Sequence, residues 1–75
     1  MVKMSDYPFG TVVAINSSQG PINRVVVQDY GNVICVCRSE ELAAAKEQLR
    51  QPFSIGFRKT DIIKIIRRPN NRGNR

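Results

Sequence analysis

Histidine and tryptophan are absent from these 75 residues, and cysteine occurs only twice. Without histidine the commonest acid–base catalyst is missing, and most zinc-ligand sets cannot be filled. Ser17-Ser18 likewise has no histidine to activate it, so it reads as loop rather than nucleophile. There is no Gly-rich phosphate loop, Walker sequence or dinucleotide fingerprint. The carboxylates have ordinary roles: Glu40 and Glu41 suit a helix start, Glu47 a helix surface, Asp61 a turn and Asp29 the end of a hairpin. A non-enzyme is expected, with no cofactor, no metal and no small-molecule substrate. No apolar run approaches the ~20 residues of a membrane span, and the N-terminus lacks the apolar core of a signal peptide. The expectation is a chain without a membrane span, located in the cytoplasm.

Leucine is also scarce. Eight valines and eight isoleucines stand against two leucines, a balance that suits pleated strands better than helices. Strands are predicted at 10–16, 23–30, 33–38, 53–57 and 62–67. The polar run Asn16–Pro21 separates the first two. Gly31-Asn32 supplies a two-residue hairpin turn between the second and third. Between the third and fourth, the period changes. Ser39 is placed to cap a helix at about 40–50 with Leu42, Ala45 and Leu49 on one stripe, and Pro52 ends it. At about three turns this helix must dock on the sheet. Arg58–Asp61 is a polar break, with room for one helical turn. The alternation of the last strand sets Ile63 and Ile65 on one face, and Ile62, Lys64 and Ile66 on the other.

The fold class is therefore mainly β: a small five-stranded antiparallel barrel or strongly bent sheet with one short helix between strands 3 and 4. This layout, including the short turn before the final strand, resembles the SH3-like barrels. The alternative is an open α+β sheet covered by the helix. The domain is expected to span 1–67, followed by a flexible basic tail over 68–75 that has no hydrophobic residue to order it. Phe9, Phe53 and Phe57 are expected in the core. Cys35 and Cys37, two apart on a strand, are poorly placed for a disulfide and are expected to pack as small hydrophobes.

Charge is the one directional feature. Residues 1–57 carry five basic and five acidic side chains and sum to zero, so the whole net charge of +6 lies in 58–75. There Arg58, Lys59, Lys64, Arg67, Arg68, Arg72 and Arg75 face Asp61 alone. A one-sided cationic segment attracts polyanions. The expected function is a small nucleic-acid-binding module, for RNA or DNA, using these seven residues for phosphate contacts and Tyr30 as an exposed aromatic beside the hairpin turn. The alternative is a protein-interaction module or small subunit, docking the Ile62/Ile66 face and meeting an acidic protein partner with its basic end.

Overall fold

The computed structural model describes residues 7–69. Its elements are strands β1 (Val12–Ser17), β2 (Gly20–Asp29) and β3 (Val33–Cys37), helix α1 (Ser39–Glu47), strand β4 (Ile55–Arg58), a 3-10 turn (Lys59–Asp61) and strand β5 (Ile62–Arg67). All pairings are antiparallel, in the order β4-β3-β2-β1-β5. The fold is mainly β with the one helix between strands 3 and 4, as the sequence predicts. The sheet stays unclosed, so β4 and β5 are its two edges.

Alternation builds the core. Val13 and Ile15 of β1, Val26 of β2, and Ile34 and Val36 of β3 form the buried cluster. Burying each such side chain stabilises the fold by about 1.5–3 kcal/mol. Tyr7, Ile22, Phe57, Ile62 and Ile65 close over it, partly buried. Thr11 is the one buried polar residue among those described; its hydroxyl donates to Pro8 O at 2.7 Å, so its polarity is satisfied. Cys37 is also buried and Cys35 half-buried, both as free thiols.

Several local expectations change. The polar stretch 16–21 is no separate loop: Ser17 pairs with Gly20, so β1 and β2 form one long hairpin turning on Ser18-Gln19. Gly20 takes φ +105° there, a region open to glycine. The β2–β3 hairpin does turn on Gly31-Asn32, with Tyr30 N–H donating to Val33 O at 2.8 Å. Only Gly31 has a positive φ (97°), the pattern of a type II′ turn. β2 carries one extra residue, Val27, against β3, since Val26 faces Val36 and Gln28 faces Cys35.

The helix begins one residue early and ends three residues early. Ser39 is its first residue, not its cap; Arg38 occupies the N-cap without a side-chain hydrogen bond. At the other end Leu49 is left-handed at φ 55°, Leu49 N–H donates to Lys46 O, and Arg50 N–H donates to Ala45 O at 3.0 Å. This is a Schellman stop. It throws Leu49 outward, 94% exposed, and out of the predicted stripe; Ala45, of the same stripe, is the helix's buried residue, and the helix touches β2.

Phe9 and Phe53 are not core residues: both are exposed, while Phe57 is half-buried. Five aliphatic side chains already fill the inner face of so small a sheet, leaving little volume for further rings. The last strand is corrected too. Along β1, Val12, Val13, Ala14 and Ile15 face Arg67, Ile65, Lys64 and Ile62, so Ile66 and Ile63 are bulged extras. The inward pair is Ile62 and Ile65, and Ile63 turns out to solvent. A Cβ on Gly10 (φ +95°) would come within 3.2 Å of Pro69 Cβ, so Pro69 lies close against the body. The rest of the expected tail, with Arg72 and Arg75, lies outside the described residues.

Candidate nucleic-acid interface and an adjoining groove

The carboxylates of the body decide which cations are free. Asp29, at the end of β2, is nearly buried, and Lys59 Nζ lies 2.8 Å from its Oδ1. The same carboxylate accepts Gly31 N–H at 2.8 Å and Tyr7 N–H at 3.4 Å. The Lys59 ammonium also stands 5.3 Å from the Tyr7 ring centroid. Lys59 is thus a strut between the 3-10 turn and the β2–β3 hairpin. Its charge is already met by Asp29, which sets it apart from the other predicted phosphate contacts.

Glu41 is taken as well. Arg50 Nη1 donates to Glu41 Oε2 at 2.6 Å, and Phe53 N–H donates to the same oxygen at 2.9 Å. These bonds hold the Glu41 carboxyl below its usual range, the Arg50 hydrogen bond contributing most. Arg50 also stacks over the Phe53 ring, 5.3 Å from its centroid. The clasp fixes the connection between α1 and β4. Beside it, burial pushes the Cys37 thiol up, with Glu41 adding to the effect, so this cysteine is an inert packing group.

The other predicted phosphate contacts among the described residues are exposed. Among the described residues, no ion pair engages Arg58, Lys64, Arg67 or Arg68. They fall in two places. Lys64 faces Ala14 and Arg67 faces Val12, two apart on β1, so the bulge at Ile66 brings both cations to one face of the β5 edge. Arg68 follows directly. Arg58 stands on the opposite edge, in register with Val33, which itself faces Tyr30 across the hairpin turn. Tyr30, Val33 and Arg58 therefore form one row across three strands, with Tyr30 68% exposed. Two strand spacings put the aromatic about 10 Å from the cation backbone. A cleft of ≈ 360 Å³ lined by Gly31, Asn32, Val33, Arg58, Lys59 and Thr60 lies beside this row.

The sequence reading missed a third feature. A groove of ≈ 340 Å³ runs beside β4, floored by Ile22, Val36, Phe53, Ile55 and Phe57 and rimmed by Arg24, Arg38 and Glu41. The exposed Phe53 and Ile55 were its only available signal, and both read equally well as core. The Ile62/Ile66 docking face, by contrast, does not form, because Ile62 turns onto the core. Among the described residues no three metal-ligand side chains converge, and no helix is long and apolar enough to cross a membrane. No protein-family model, curated protein or solved structure matches this chain.

Proposed function

We propose that the protein is a non-enzymatic nucleic-acid-binding module. The observation that carries this reading is the division of charge. Asp29 and Glu41 are satisfied by Lys59 and Arg50, while Arg58, Lys64, Arg67 and Arg68 stand without an acidic partner among the described residues. Cations left unmet on a small surface lower their energy by taking up phosphates and releasing condensed counterions. Tyr30 adds a ring on which an unpaired base stacks, in the same row as Arg58, and this favours single strands over duplex. The strand order, the helix after β3 and the 3-10 turn before β5 support an SH3-like reading of the sheet, a layout that carries no ligand of its own.

Fluorescence anisotropy with a mixed-sequence single-stranded RNA oligonucleotide tests this. Four phosphate contacts predict that log K falls against log salt with a slope of about −3. Lys64→Glu with Arg67→Glu flattens that slope by about 1.4, half of its value, and Tyr30→Ala costs about 1–3 kcal/mol. Removing residues 68–75 weakens binding further. Absence of binding at low salt, or affinity indifferent to these changes, refutes the proposal.

A further inference from the structure

The groove beside β4 belongs to neither cationic cluster, and it lies along an edge built for pairing. We propose that the β4 edge takes up an extended segment of an acidic partner protein, alternating apolar and acidic residues, as a sixth strand of the sheet. This goes beyond the nucleic-acid reading and does not depend on it.

Three observations carry the inference. The first is the edge itself. β4 is last in the sheet, and its residues Ile55, Gly56, Phe57 and Arg58 pair with β3 in an unbroken register. It contains no proline, no lysine and no bulge, three of the devices that keep an edge from accepting another strand, and its one charge, Arg58, stands at its end. At its centre Gly56 is exposed, and a Cβ there would meet Val33 Cγ1 at 3.4 Å and Ile34 O at 3.9 Å, both on the neighbouring strand β3. A strand position without a side chain lets a second backbone come close. The edge donors and acceptors are thus open to a peptide.

The second is the apolar floor. Ile55 and Phe57 face Val36 and Ile34, so both project to the core side of the sheet and line the groove with Ile22. Ile55 is 66% exposed and Phe53 78% exposed. Alternate side chains of an added strand point to that side, which calls for apolar residues at every second position.

The third is charge. Glu41 on the rim is neutralised by Arg50. Arg24 donates only to the backbone oxygen of its neighbour Asn23, and Arg38 and Arg58 are exposed without an ion pair among the described residues. Arg58, in register with Val33, stands on the face opposite the groove, where the acidic positions of an added strand point, and Arg24 and Arg38 add positive charge along the groove rim. The same charge argues against a second copy of this chain, which would set three arginines against their equals in a molecule of net charge +6. Residues 70–75 carry no apolar side chain and cannot fill the floor. A nucleic acid offers no strand backbone to pair with.

The test uses the full chain and a blocked octapeptide alternating valine and aspartate, with a valine–lysine octapeptide as control. Fluorescence anisotropy measures affinity, and amide hydrogen exchange locates it. The aspartate peptide binds and slows exchange within residues 55–58, whereas the lysine peptide does not bind. Ile55→Lys and Phe53→Ser, both at exposed positions, each weaken binding about tenfold or more while the fold stays intact by circular dichroism. The proposal is overturned if the aspartate peptide fails to bind, if both peptides bind alike, or if neither variant changes the affinity. It is equally overturned if sedimentation finds β4-dependent dimers at the same concentration, or if an RNA oligonucleotide is what protects 55–58. An RNA that fails to bind anywhere sinks only the earlier reading.

Discussion

The two edges of the sheet are built on opposite principles. β5 presents a lysine at its centre, an arginine at its end and two bulged isoleucines that interrupt its register with β1. β4 is short, regular and glycine-centred, with exposed apolar side chains beside it. A bulge leaves one residue unpaired and twists the strand, so a second chain cannot zip along β5, and its charges repel a like edge. The cations that guard β5 are among those offered to phosphate, with Arg58 at the end of β4 the other; the missing guards along the rest of β4 leave it open to a peptide. Unmatched backbone on one side and unmatched charge on the other divide the binding work between two surfaces of one small sheet.

The corner behind β4 gives the largest way to break this contrast. Asp29→Ala removes the acceptor for Gly31 N–H and Tyr7 N–H and leaves Lys59 without its partner. We expect a loss of about 2–3 kcal/mol, measured from urea midpoints. Amide exchange should quicken in residues 55–58 and stay unchanged in 62–67. Equal loosening of both edges would mean that the corner supports the whole sheet rather than β4.

Acidification sharpens the contrast next, through the Glu41 clasp. The folded Glu41 pKa is depressed, chiefly by the Arg50 hydrogen bond and then by Phe53 N–H. A depressed carboxyl contributes fully above its unfolded value of about 4.3, and that contribution is lost as pH falls through the lower folded value. The clasp should therefore hold through the ordinary carboxylate range and open only below it, in the interval where the folded Glu41 takes up its proton. The Phe53 amide resonance should move over the same interval, and Glu41→Gln should abolish that movement.

The smallest effect in free energy separates the two guards of β5. Lys64→Val is expected to leave stability within about 0.5 kcal/mol, since the side chain is exposed. Analytical ultracentrifugation should then reveal concentration-dependent association through β5. A variant that stays monomeric would assign the protection to the bulges at Ile63 and Ile66 alone.

Much of this architecture is legible from periodicity. The valine- and isoleucine-rich runs locate four of the strands, the alternation of Phe53, Ile55 and Phe57 locates β4, Gly31-Asn32 locates the turn between β2 and β3, and the alanine-rich segment after Cys37 locates the helix. Each rests on a local preference that acts within a few residues. The misses are those where a neighbour in space overrules a neighbour in sequence. Lys59 reads as one more free cation until Asp29, thirty positions away, meets it across the hairpin. Ile62 reads as surface until β1 imposes a register that strict alternation cannot satisfy. Phe53 reads as core because large apolar residues are few, yet the inner face is already full.

What the amino-acid order determines alone is the inventory: β-branched strands, one short helix, no histidine, and a net positive charge confined to the last quarter of the chain. What only the tertiary structure decides is which of those charges remain unpaired, which isoleucines turn outward, and which edge is left without protection. The physical reason is that local preference is set by a residue's own backbone. Charge pairing, register and edge exposure depend instead on strands that meet only after the chain has folded.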